Sequence, residues 1–353
     1  MMETTQIASM EVSRIGLGTW AIGGSEWGAV SESDAIATCL GALDRGINLI
    51  DTAPIYGHGR AEELVGKAMR AHGRRDAFFI ATKAGLSWSS AGVYSDSTLP
   101  RLRRELEDSL RRLGTDHIDL YQIHWPDTLI PISETASLMA EFQREGKVRA
   151  VGVSNFSVAQ MQEFRSVVPL ASNQPPYNLF ERQIESFADG EGCAPCEYCA
   201  YGECSAHGES ILEFCRANQI AVLTYSSLCR SLLAGRVHRG MHFEAHDIRS
   251  VDPKFQEPRF SQYMTAVERL SALARERFGK SVLELAARWV LDRPGISVAL
   301  WGAKRPEQLD AVAGVMGWTL DAAAFAEIDR IVAESVTDPI GPEYLTPGVR
   351  AVS

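Results

Sequence analysis

Short apolar runs recur eight times along the chain, at residues 15–17, 48–50, 78–81, 118–123, 150–153, 171–174, 221–224 and 297–300, and amphipathic stretches of helical length separate them. The runs are continuous rather than alternating, as strands buried on both faces are. Helix start and stop signals punctuate the intervals: Ser31 opens one that Gly46 closes, Thr98 and Pro100 open one that Gly114 closes, and Gly146 closes another. Eight strand-helix units in one chain predict an α/β fold, a single-domain (β/α)8 TIM barrel. Its loops after strands 6 and 7 are long, with a cysteine-rich insert over 188–209 and a second extended loop over 226–262. A doubly wound dinucleotide fold is the competitor, but it wants Gly-x-Gly-x-x-Gly opening a helix after the first strand. Here Gly16-Leu17-Gly18-Thr19-Trp20 runs into Ile22-Gly23-Gly24 with no helix start at the right place.

In such a barrel catalytic residues gather at the carboxyl ends of strands. Asp51 and Tyr56 follow the second run, Lys83 the third and His124 the fourth. A phenol is a poor acid near neutrality, with an ordinary pKa close to 10. A nearby lysine favours the phenolate and so lowers that pKa, an aspartate keeps the lysine charged, and a histidine steers a carbonyl oxygen onto the phenol. Each residue alone has a plainer reading: Asp51 as a turn cap, Lys83 as a solvated strand end, His124 as core packing, Tyr56 as a loop aromatic. Four at successive strand ends make a proton donor with its tuning pair and an orienting imidazole.

The bulk of the chain fits an enzyme. With 353 residues and 45% hydrophobic content a sizeable core is available, and a net charge of -10 offers no footprint for nucleic acid or an anionic membrane surface. No apolar run reaches bilayer-spanning length, and the start of the chain lacks the features of a secretory signal, so a cytoplasmic location is expected. In that compartment the seven cysteines are thiols or metal ligands rather than disulfides.

Several segments, in order along the chain, resemble the aldo-keto reductases, NAD(P)H-dependent carbonyl reductases built on this barrel. They are residues 15–20, Asp51-Thr52-Ala53-Pro54-Ile55-Tyr56-Gly57 with the three residues before it, 62–67, Ala81-Thr82-Lys83, 109–120, 146–156 and Trp301-Gly302-Ala303-Lys304. The branch most similar is bacterial, resembling inositol-associated reductases and potassium-channel β subunits. The resemblance implies that Tyr56 is the general acid, with Lys83 and Asp51 as its tuning pair and His124 orienting the substrate. It implies that Ser154, Asn155 and Gln174 hold a nicotinamide carboxamide, that Tyr225 stacks on the ring, and that Gly18, Thr19, Trp20, Asp51, Ser226 and Leu228 complete the cofactor site. A neutral amide does require such paired donors and acceptors.

The last strand-helix unit, with Gly302, Ala303, Lys304, Arg305 and Gln308, is the expected phosphate site. Glycine admits close backbone approach and two adjacent cations suit the 2'-phosphate of NADPH, with NADH as an alternative. Val312 stands where relatives commonly place an asparagine against the adenine. Trp20, Trp27, Trp88 and Trp125 are the expected substrate wall, or else core. The polar stretch from Arg230 to Phe260 is too charged for a core and is expected to cover the cofactor. A small-molecule carbonyl or alcohol, polar or sugar-derived, is the expected partner of a monomer or homo-oligomer. A lyase or isomerase using Lys83 as a Schiff-base amine, and an NADPH-holding sensor without turnover, are the rival readings. Cys193, Cys196, Cys199 and Cys204, with His207 nearby, form a candidate Zn2+ or iron-sulfur site, free thiols or redox-formed disulfides being the alternative. Cys39, Cys215 and Cys229 read as small apolar packers.

Overall fold

The computed structural model describes residues 1–24, 26–90, 92–185 and 209–350. Eight parallel strands close into a barrel: β1 (Ile15–Gly18), β2 (Leu49–Asp51), β3 (Phe79–Ala84), β4 (Ile118–Ile123), β5 (Val148–Ser154), β6 (Ser172–Gln174), β7 (Ala221–Thr224) and β8 (Ile296–Gly302). Their neighbour order runs β6, β7, β8, β1, β2, β3, β4, β5 and returns to β6. All eight apolar runs are therefore strands. Around them lie helices α1 (Glu32–Asp44), α2 (Arg60–His72), α3 (Leu99–Leu113), α4 (Ile132–Arg144), α5 (Val158–Arg165) and α6 (Ile211–Ala217), then α7 (Arg259–Phe278), α8 (Val282–Asp292) and α9 (Ala322–Ser335).

Local chemistry explains the boundaries. The Ser31 hydroxyl accepts from the Asp34 N–H at the start of α1, and Gly114 ends α3 in the left-handed region at φ 67. Thr98 precedes α3 as expected, but its hydroxyl donates to Asp96 instead of capping the helix. Inside the barrel, Leu49, Phe79, Leu120, Leu223, Val298 and Leu300 meet in one buried cluster. Ile7 and Val12 join that cluster from an antiparallel hairpin, Thr4–Ile7 with Met10–Ser13, which plugs the amino end of the barrel. A second addition lies over the carboxyl end, where Leu86–Ser89 and Gly92–Ser95 pair antiparallel and Gly348–Val349 adds a parallel third strand.

The stretch from Arg230 to Phe260 departs from expectation. Its middle is exposed, but Arg230, Asp252 and Lys254 are buried. They surround Glu181: Arg230 Nη2 lies 2.6 Å and Lys254 Nζ 2.8 Å from Glu181 Oε1, and Arg230 Nε is 2.5 Å from Asp252 Oδ2. Charge does not exclude a segment from a core when each charge finds its opposite there.

The loop carrying Tyr56 is seated by two glycines. A Cβ at Gly57 would lie 2.3 Å from the Gly23 carbonyl oxygen, and Gly57 itself sits at φ 60. A backbone atom cannot yield as a flexible side chain can, so Gly57→Ala is expected to cost about 2 kcal/mol. Thermal unfolding would register it, together with a loss of kcat as Tyr56 shifts; unchanged values of both would refute the close approach.

Candidate active site

At the carboxyl end of the barrel a cavity of about 440 Å³ opens onto Asp51, Tyr56 and His124. Asp51 ends β2 and Lys83 lies in β3, while the His124 N–H donates to the Ala84 carbonyl (2.8 Å) and carries the β3–β4 ladder one residue further. Parallel pairing in register is what brings residues far apart in sequence to one rim.

Lys83 is wholly buried and uses all three of its N–H bonds: to Asp51 Oδ1 at 2.6 Å, the Thr52 carbonyl at 3.1 Å and the Tyr56 hydroxyl at 3.2 Å. Because the third of these donates to the phenol oxygen, the phenol hydrogen is left to point at another acceptor. Burial lowers the Lys83 pKa, but Asp51 and Tyr56 outweigh it and the net movement is upward. A buried ammonium held charged in this way is the opposite of the free amine that a Schiff-base mechanism needs, which removes the lyase reading.

The electrostatics of Tyr56 correct one expectation. Burial raises its pKa, Lys83 offsets part of that, and Asp51 and Glu26 add to it, so the net shift is upward rather than downward. Desolvation wins because the phenol is enclosed while the ammonium beside it is already shared with a carboxylate. The phenol thus stays protonated near neutrality, as a proton donor must. His124, in edge contact with the Tyr56 ring at 5.9 Å, has its pKa held well below the usual value by burial and by Lys83, so its imidazole is neutral.

The remaining expected residues fall into two groups. Gly18, Trp20, Ser154, Asn155, Gln174, Tyr225, Ser226, Leu228, Gly302, Ala303, Lys304 and Gln308 all line the cavity. Asn155, left-handed at φ 62, donates to the Ser154 hydroxyl and the His124 carbonyl, and its Oδ1 accepts from the Tyr225 hydroxyl at 3.0 Å. Gln174 Nε2 donates to the second oxygen of Asp51 at 2.8 Å. This donor and acceptor set fits a carboxamide. Thr19 does not line the cavity; its hydroxyl braces the Asp51 carbonyl at 2.9 Å. Arg305 lies outside the lining, largely exposed and 4.0 Å from Asp34, while Gln308 Oε1 accepts from the Lys304 and Arg305 N–H groups. Val312 is buried in the outer core.

Of the four tryptophans, Trp20, Trp27 and Trp125 line the cavity. Trp88 does not: it stacks on His58 at 4.7 Å, on the outer side of the Tyr56 loop, and is 38% exposed. Leu86, where the hairpin leaves the barrel, lines the cavity, while Trp88 lies nearer the tip of the hairpin and does not. Cys193, Cys196, Cys199, Cys204 and His207 lie outside the described residues. Cys39, Cys215 and Cys229 are buried, free thiols; burial pushes Cys39 up to about 12 and raises the other two further.

Sequence reading missed Glu26, Arg230 and the tail residues Tyr344, Leu345, Thr346 and Pro347, all of which line the cavity. The tail is held by Tyr344, whose hydroxyl donates to Asp252 at 2.8 Å, and by Arg350, 3.0 Å from both Asp96 and Asp127. No local pattern marks a tail as a wall. The loop after β7 also closes over the front of the cavity, where the Ile248 N–H donates to the Glu26 carbonyl and Arg249 lies over the Trp27 ring.

Residues 14–333 match the model of the aldo/keto reductase family. The aldo-keto reductase YhdN of Bacillus subtilis is 49% identical over 351 residues, 99% of each chain. A glycerol dehydrogenase structure from Gluconobacter oxydans superposes with a TM-score of 0.82 at 44% identity, over 96% of this chain and 98% of that one. The NADH-specific methylglyoxal reductase of Escherichia coli is 32% identical over 84% of this chain and 88% of its own length. A barrel with Asp51, Tyr56, Lys83 and His124 gathered at its mouth and matches that run almost its whole length place this chain in the aldo/keto reductase family, as an oxidoreductase that interconverts carbonyls and alcohols with a nicotinamide cofactor.

Proposed function

We propose that this protein reduces small polar aldehydes or ketones, of the sugar- or polyol-derived kind, with NADPH, and runs the same path backwards on alcohols. The observation that carries the reading is the Lys83 ammonium at 3.2 Å from the Tyr56 hydroxyl and 2.6 Å from Asp51, beside a neutral His124. Bound NADPH supplies a hydride from its nicotinamide C4. The protein's own residues handle the oxygen. His124 steers it by hydrogen bonding, and Tyr56 gives up its proton as negative charge grows there. Lys83 steadies the phenolate left behind, and Asp51 keeps Lys83 charged throughout. Ser154, Asn155 and Gln174 suit the carboxamide of the cofactor, Tyr225 suits its ring face, and the aromatic wall of Trp20 and Trp125 keeps water out.

NADPH is favoured over NADH by Lys304. Burial and the nearby Arg249 lower its pKa, Asp247 offsets part of that, and Arg305 adds a smaller lowering that a 2'-phosphate would relieve. Lys304→Met is expected to raise the KM for NADPH roughly 10- to 100-fold, the worth of a charge-assisted hydrogen bond, and to leave the KM for NADH nearly unchanged. Equal changes for both cofactors would remove Lys304 from the phosphate site.

Two relatives act, by name, on glycerol and methylglyoxal, which supports a small oxygen-rich substrate. Following NADPH consumption with glyceraldehyde, methylglyoxal and propanal tests the proposal. Turnover is the expected result; tight NADPH binding with no turnover on any of them would favour the sensor reading instead.

A further inference from the structure

The cavity beside Tyr56 contains one carboxylate that the proton relay leaves unused. Glu26 lines it with Trp20 and Trp27, and its Oε2 accepts a hydrogen bond from the Trp20 indole. Trp20 in turn lies near-parallel to Tyr56, ring centroids 6.2 Å apart, so Glu26 is one indole away from the catalytic hydroxyl. The cations around the cavity are committed elsewhere: Lys83 to Asp51, Arg230 to Glu181 and Asp252, Arg249 to Asp247, and Lys304 to the Trp27 carbonyl. Among the described residues none forms an ion pair with Glu26 or a hydrogen bond with its Oε1.

A carboxylate in the cavity wall can accept the hydrogen bond that a substrate hydroxyl donates. A carboxylate or phosphate offers acceptors only, and its charge would face that of Glu26 across the cavity. We infer that Glu26 sets substrate specificity, in that it selects carbonyl compounds with a neutral hydroxyl next to the carbonyl and rejects those that carry an anionic group there. The inference rests on the carbonyl-reductase reading and narrows its substrate class.

The test compares kcat/KM for glycolaldehyde, glyoxylate and propanal between the wild type and Glu26→Gln. Glutamine keeps an amide oxygen for the Trp20 N–H, so the wall stays in place while the charge goes. Glyoxylate is expected to gain roughly tenfold or more relative to propanal, and glycolaldehyde to lose several-fold relative to it. Parallel changes on all three substrates, or no gain for glyoxylate, would overturn the role of Glu26 while leaving the reductase intact. A wild type that reduces none of the three would sink the reductase reading and this inference with it.

Discussion

Tyr56→Phe is expected to lower kcat by about 10²- to 10⁴-fold, the range that a positioned proton donor supplies. The substitution removes one oxygen and leaves the ring, so the near-parallel contact with Trp20 and the edge contact with His124 survive. What disappears is the acceptor for the third N–H of Lys83 and the proton aimed at the substrate. The two other Lys83 bonds, to Asp51 and the Thr52 carbonyl, hold the ammonium in place. Cofactor affinity should therefore be unaffected, which quenching of tryptophan fluorescence by NADPH can measure. A variant that kept more than a tenth of wild-type kcat with normal affinity would show that the proton comes from another group.

The second large effect concerns stability. Glu181→Gln keeps the shape of the side chain but leaves Arg230 and Lys254 buried against the reduced charge of Asp252 alone. Removing one partner of a buried ionic group costs about 3–5 kcal/mol, and the thermal unfolding midpoint should fall by roughly 5 °C. The cluster joins the loop after β7 to the tail, through the bonds from Tyr344 to Asp252 and from Lys254 to the Gly341 carbonyl. NADPH affinity is accordingly expected to weaken along with stability. Loss of the exposed pair of Arg103 with Glu141 serves as the control and should move the midpoint little. An equal response in the two variants would mean that burial adds nothing.

Glu181 also predicts a pH dependence. Burial alone would raise its pKa, but Arg230 and Lys254 prevail and hold it at about 2, below the usual 4.5. A carboxylate depressed in the folded state contributes stability that is fully present above about 4.5 and is lost as pH falls toward 2. The difference in melting temperature between wild type and Glu181→Gln should therefore narrow across that interval. A constant difference down to pH 3 would contradict the coupling.

The barrel and the meeting of Asp51, Tyr56, Lys83 and His124 at its rim were legible in the chain before any coordinates, because both depend on short-range pattern. A strand buried on both faces writes itself as a continuous apolar run, and its downstream end is where Asp51, Lys83 and His124 stand. Glycines and serines that end and begin helices likewise act within a few residues. The direction of the Tyr56 pKa was not legible, because it is set by how completely the phenol is enclosed, a property of the whole cavity. Nor was the burial of Arg230 and Lys254, whose partner Glu181 lies 49 residues before the first of them. Trp88 looked like cavity wall until the hairpin showed which way it faces, and Glu26 gained meaning only from Trp20, Trp27 and Tyr56 around it. The sequence alone determined which elements form and which chemistry they carry; the tertiary structure decided solvation and charge pairing, since both are sums over neighbours that come from distant parts of the chain.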